Sequence, residues 1–216
     1  MDNSQLVAIL GDIIYICLVL IAFWGAFCVV VVWRRVASTR FRNEQQQIEF
    51  LDQVDAQLAR GDYQSIEQLC EGDARAIPQL VHLAVVNRRL EPGKIRRVIG
   101  DRFQRDILAD MEHRLSWVYT VIKAAPMLGL LGTVLGMIGA FGQLATNEKV
   151  DPTGLAEDIH VALYTTAFGL AIAIPLVICT ASINVRIRKM EDFVGEGLSR
   201  FFESFKIALT QPSREA

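Results

Sequence analysis

Three uncharged runs constrain this chain more than any other feature: Ile13–Trp33, Ala124–Ala145 and Val161–Ile183, of 21, 22 and 23 residues. At about 1.5 Å per residue, each is long enough as a helix to cross a hydrocarbon core about 30 Å thick. The composition agrees, with 52% hydrophobic residues and a mean hydropathy of +0.31, high for a soluble protein. The expectation is an all-α membrane protein, with three transmembrane helices and long cytoplasmic helical extensions.

Charges beside the runs orient them. Asp2 and Asp12 precede the first run, and Arg34, Arg35, Arg40 and Arg42 follow it. Basic residues stay on the cytoplasmic side, so the N-terminus reads as outside. A signal peptide carries its positive charge before the apolar stretch, so this run reads as a retained helix. The short connection with Glu148, Lys149 and Asp151 suits an outside loop, and Arg186, Arg188 and Lys189 place the end of the third run inside. The chain therefore divides into an outside N-terminus (1–12), a first span (13–33), a cytoplasmic helical domain (34–123) and a second span (124–145). An outside loop and helix start (146–158), a third span (159–183) and a cytoplasmic helix and tail (184–216) follow.

Between the first two spans the periodicity is helical. Asn43 with Gln46 reads as a cap for a helix carrying Ile48, Leu51, Val54 and Leu58, ended by Gly61. A short helix is expected over 63–70. A third opens near Pro78, carries Leu80, Val81, Ala84 and Val85, and is closed by Pro92-Gly93. From Lys94, the series Ile95, Val98, Ile99, Phe103, Ile107, Met111, Leu115, Val118 and Ile122 predicts one unbroken amphipathic helix running into the second span. Met190, Phe193, Val194, Leu198, Phe201, Phe202 and Phe205 extend the third span the same way. Pro126 and Pro175 are candidate kinks.

Several function classes drop out. The four cysteines and three histidines form no CxxC and no cluster, so neither a zinc site nor a Cys-His nucleophile is indicated. Arg88, Arg89, Lys94, Arg96 and Arg97 are interleaved with Glu91 and Asp101, which reads as a solvated face. With a net charge of -2, no nucleic-acid partner is expected. No catalytic residue, metal or cofactor is expected, and the evident partner is the lipid bilayer.

The second span carries Gly129, Gly132, Gly136 and Gly139 along one helix face, with Thr133 beside them. In a soluble helix each glycine costs about 1 kcal/mol against alanine; in lipid, small residues let backbones approach. The third span has a similar stripe of Ala162, Thr166, Gly169, Ala173 and Thr180, with Thr165 adjacent. Two readings stay open. The threonines either bond back to their own helix and pack, or line a hydrated ion path. The residues alone favour packing.

The segments APMLGLLGTVLGMIGAF and LYTTAFGLAIAIP resemble the MotA/TolQ/ExbB proton-channel family. Three spans and the large cytoplasmic segment are similar to its ExbB and TolQ members, rather than to the four-span flagellar stators. The resemblance implies a homo-oligomer, pentameric in well-known members, in the inner membrane of a Gram-negative bacterium with its N-terminus periplasmic. It also implies a single-span partner of the ExbD or TolR kind with a membrane aspartate, and transmission of proton-driven motion to a TonB- or TolA-like protein. Thr133 and Thr166 match the family's ion-path threonines, and Thr165 lies beside them. ExbB and TolQ usually carry a glutamate where this chain has Val161, so Glu157, Asp158 and His160 become the candidates for proton uptake. Two further readings are a non-conducting scaffold for such partners and a flagellar-stator-like motor subunit. A secondary transporter is disfavoured, because three spans provide no inverted repeat.

Overall fold

Long apolar runs become long helices. The computed structural model describes residues 3–146 and 152–210. Its helices are α1 (Asn3–Thr39), α2 (Glu44–Arg60), α3 (Tyr63–Cys70), α4 (Ala76–Val86), α5 (Pro92–Arg102), α6 (Ala109–Thr146) and α7 (Pro152–Thr210), with a π-helical turn, Phe103–Leu108, joining α5 to α6. There is no strand among the described residues. Three helical stretches are long and apolar enough to cross a membrane, and the fold is that of an all-α, three-span membrane protein. Both α6 and α7 remain helical through their internal prolines, Pro126 and Pro175.

The chain forms two units. The first comprises Met1–Val31 and Arg114–Ser182. In it α1 packs on α6 and α7 at Gly25, where an added Cβ would lie 2.8 Å from both Val121 Cγ1 and Leu176 Cδ1. Trp24 and Trp117 meet edge to face, with centroids 6.5 Å apart. The outward faces of these helices are apolar and exposed: Phe23 is 73% exposed, Met127 70% and Ile178 63%. In water such surface would be an aggregation site, whereas against lipid tails it is the solvent-facing surface a span requires.

The second unit comprises Val32–His113 and Ile183–Ala216. Its centre is α4, buried at Ile77, Leu80, Val81, Ala84 and Val85 and packed against α3 and α5. Phe50, Leu51, Val54 and Leu58 of α2 and Met190, Val194, Phe201 and Phe205 of α7 complete the core. Gln47 Nε2 donates to the Phe193 carbonyl at 2.8 Å, and Arg200 pairs with Asp52 and Asp55, so α2 is tied to α7 at both ends of the contact. Arginines over aromatic rings join further elements: Arg75 over Phe41 at 4.1 Å and Arg186 over Trp33 at 4.0 Å.

Some local expectations are corrected. Asn43 occupies the cap position of α2 with an extended backbone, but its side chain makes no cap bond. A side-chain cap forms instead at the next helix, where Asp62 accepts from the Ser65 backbone N–H at 3.1 Å and starts α3. Gly61 ends α2 as expected, with φ 71°. Pro92 opens α5 as its first residue instead of merely closing α4. Ile48 and Val98, expected in the core, are exposed, and Gln47 is buried in their stead on α2.

Candidate functional site

The glycines of α6 set the site. An alanine Cβ at Gly129 would stand 2.7 Å from the Thr165 carbonyl oxygen and 3.0 Å from Thr166 Cα. At Gly169 it would stand 2.6 Å from the Ala125 carbonyl oxygen and 3.3 Å from Gly129 Cα. At Gly132 it would strike the Thr165 side chain, 2.7 Å from its Cβ. These are mostly backbone atoms that cannot swing aside, so only glycine permits this spacing of α6 and α7. Gly129, Gly132, Ala162, Gly169 and Ala173 are buried in the seam; Gly136 and Gly139 are half-buried further along.

Close approach brings three hydroxyls around one carbonyl. The Gly129 carbonyl accepts from Thr166 Oγ1 at 3.0 Å and Thr165 Oγ1 at 3.1 Å, and Thr133 Oγ1 lies 3.5 Å away. Thr133 Oγ1 donates to the Leu130 carbonyl at 2.7 Å and lies 3.2 Å from Thr166 Oγ1. Each hydroxyl has one proton and two lone pairs. With Thr133 donating to Leu130, the single Thr166 proton points either to the Gly129 carbonyl or to Thr133 Oγ1. The link between the two hydroxyls therefore forms only when Thr166 turns from the carbonyl. Thr165 is 2% exposed, and its one proton is shared between the Ala162 carbonyl at 2.7 Å and the Gly129 carbonyl at 3.1 Å, so it lies inside the seam. Thr133 and Thr166 are half-buried at its edge, where another molecule can reach them. The face of α7 packed on α6 therefore takes in the buried Thr165 beside Thr166, whose Cα also stands against Gly129. Thr180 lies on the same face, 3% exposed, its hydroxyl without a bond among the described residues.

The proton-uptake candidates are less gathered. The side chains of Glu157 and Asp158 lie outside the described residues. His160 is exposed, its ring edge-on to Tyr164 at 4.5 Å. Val161, in place of the family's acid, is 42% exposed, and its carbonyl accepts from Tyr15 of α1 at 3.2 Å. Neither Tyr15 nor Gly25 stands out by sequence, because a lone tyrosine or glycine in an apolar run carries no periodic signal.

Elsewhere, Cys70, Asp73, Gln79, His82 and Arg102 line a cleft of about 590 Å³ in the second unit. Burial pushes the Cys70 thiol up to about 12, so it stays protonated at neutral pH and is no nucleophile. Among the described residues no group of three metal-binding side chains comes together.

Comparison with known proteins bears on the same segment. The sequence profile of the MotA/TolQ/ExbB proton channel family matches residues 69–194. An ExbB homolog of Methanothermobacter thermautotrophicus is 38% identical over 107 residues, covering 48% of this chain and 38% of that protein. The biopolymer transport protein exbB1 of Vibrio cholerae is 56% identical over 54 residues, 24% of each chain. The Tol-Pal system protein TolQ of Haemophilus influenzae is 32% identical over 94 residues, 44% of this chain and 41% of that protein. The matched stretches thus span about two fifths or less of these relatives.

Proposed function

The chain belongs to the MotA/TolQ/ExbB proton channel family, and we propose that it is the multi-span subunit of an inner-membrane, proton-driven energy transducer of the ExbB/TolQ kind. Several copies enclose a single-span, ExbD- or TolR-like partner whose membrane aspartate is protonated and released as ions cross. The resulting motion is passed to a TonB- or TolA-like protein for outer-membrane transport or envelope maintenance.

The observation that carries this reading is the Thr133–Thr166 hydroxyl pair, 3.2 Å apart at the accessible edge of a glycine seam. An ionised carboxylate facing lipid costs about 2.5–3.5 kcal/mol or more, whereas one proton falling through 100 mV supplies about 2.3 kcal/mol. The carboxylate must therefore meet hydroxyls or water rather than hydrocarbon for the cycle to run. This chain has no acid in its three uncharged runs. Its share is the hydroxyl pair, which accepts from a protonated carboxyl or donates to an ionised one, with Thr165 locking the seam behind it. His160, with Glu157 and Asp158, takes the uptake role at the outer end.

Thr133→Val and Thr166→Val keep shape and remove the hydroxyls. Each should lower energy-dependent function at least tenfold while the complex with its partner still co-purifies. Normal function in both would leave the scaffold reading, in which the chain only stabilises its partners.

A further inference from the structure

The helix contacts place a lysine where a three-span reading of the sequence does not expect one. Val121 of α6 lies against Gly25 of α1, and the Ala125 carbonyl lies against Gly169 of α7. Lys123, midway between these two contacts, is therefore level with about residue 23 on α1 and residue 172 on α7. Those are the middles of the uncharged runs 13–33 and 161–183. The uncharged run of α6, by contrast, begins only at Ala124, one residue after Lys123. Exposed Phe27, Val30, Val177 and Ile178 show the apolar belt of α1 and α7 continuing toward the cytoplasmic side of this level.

Lys123 is exposed and makes no hydrogen bond or ion pair with any described residue. Its companions at steps of three and four, Ser116, Tyr119 and Thr120, are exposed on the same face. That face lies opposite Val118, Val121 and Ala125, which are buried against the chain's own helices. An ammonium at the bilayer centre is costly. Snorkelling requires reaching a headgroup about 15 Å away, half of a ~30 Å core, which is beyond a four-carbon stem. Further along, the face turns apolar at Met127, Leu130 and Val134. A polar half and an apolar half on one helix face suit a lumen that is wet below and closes on a partner helix above.

We propose that Ser116, Tyr119, Thr120 and Lys123 line a water-filled space enclosed between copies of this chain, with Lys123 as its fixed positive charge. This space continues the ion path from Thr133 and Thr166 toward the cytoplasm, and in that it rests on the function proposed above. Water there keeps the ammonium solvated at bilayer depth, and the Thr120 oxygen, whose proton goes to the Ser116 carbonyl at 3.0 Å, accepts from that water.

Labelling tests this without any measurement of transduction. In a full-length background with Cys17, Cys28, Cys70 and Cys179 replaced by alanine, Lys123→Cys, Thr120→Cys and Phe23→Cys are compared in inside-out membrane vesicles. The probe is a charged, membrane-impermeant methanethiosulfonate. Lys123→Cys and Thr120→Cys should react at least tenfold faster than Phe23→Cys, which sits at the same depth on the lipid face. Equal rates at all three sites would overturn the proposal, because the level is then hydrocarbon or headgroup throughout. Fast reaction at 123 alone would overturn it too, since a lumen must wet its neighbour on the same face. If the labelling holds but Thr133→Val and Thr166→Val work normally, the space exists and the transducer reading is what fails.

Discussion

One missing Cβ at Gly129 governs how closely α6 and α7 approach. Alanine there would press a methyl group to 2.7 Å from a backbone oxygen of Thr165, and at Gly169 to 2.6 Å from that of Ala125. Overpacking of this kind costs about 1–3 kcal/mol. Gly129→Ala and Gly169→Ala should each lower the thermal stability of the purified protein by that amount, measured by unfolding in detergent. Gly100 in α5 has nothing within 4 Å of its Cβ position, so Gly100→Ala should raise stability by up to about 1 kcal/mol. A loss at all three sites would mean that helix propensity and contact are not what separates them. The stripe itself was legible in the sequence, because glycine has no other use at such spacing in an apolar helix. Which threonine it meets was not. Thr165 and Thr166 are adjacent, and a helix turns about 100° between them, so only the packing decides which one is buried.

At the scale of elements, the junction of α5 and α6 shows a signal that periodicity held but simple counting passed over. Ile95, Ile99, Phe103, Ile107, Met111 and Leu115 are all buried and recur in unbroken steps of four. In a 3.6-residue helix each such step drifts by roughly 40°, so the series would wrap halfway round the helix. The π-helical turn at Phe103–Leu108 holds one extra residue and takes back much of that drift. Deleting the exposed Arg105 should let the turn become α-helical and leave Ile95 and Ile99 on the core, because only the extra residue is removed. The yield of folded protein should then stay near the parent's, whereas deleting Gln104 together with Arg105 should swing Ile95 and Ile99 off the core by roughly 100° and cut that yield severely. Equal yields from the single and the double deletion would show that the turn carries no register.

The link from α3 to α4 gives a pH dependence of definite sign. Hydrogen bonds from the Arg75 side chain hold the Asp73 carboxyl below its ordinary value of 3.8. A depressed carboxyl stabilises the fold above its unfolded pKa and loses that contribution as pH falls through the folded one. Asp73→Asn should therefore be less stable than the parent at neutral pH, by no more than about 1 kcal/mol for so accessible a pair. The two should converge as the pH drops from about 4 downward. A gap that persists at pH 2 would assign the effect to packing instead of charge.

For the whole molecule, the three spans were legible because an uncharged run of more than 20 residues has few other uses, but their relative heights were not. The end of an uncharged run marks where a charge is tolerated, and a charge facing an enclosed wet space is tolerated well inside the bilayer. On α1 and α7 the apolar runs end at Trp33 and Ile183, near the unit boundaries at 31/32 and 182/183; on α6 the boundary at 113/114 lies ten residues before the run begins. Topology rests on the helices where charge and boundary agree. Arg34, Arg35, Arg40 and Arg42 after the first run and Arg186, Arg188 and Lys189 after the third put both of these ends on one side. Alkaline phosphatase, which folds only in an oxidising compartment, should be active when fused before Asp2 with its own signal supplied, and inactive when fused after Thr210. Moving positive charge tests the cause. Replacing Arg34, Arg35, Arg40 and Arg42 with glutamine while adding lysines ahead of Asp12 should reduce the N-terminal reporter's activity at least several-fold. An unchanged N-terminal signal would mean that the later spans, through Arg186, Arg188 and Lys189, impose the orientation on α1.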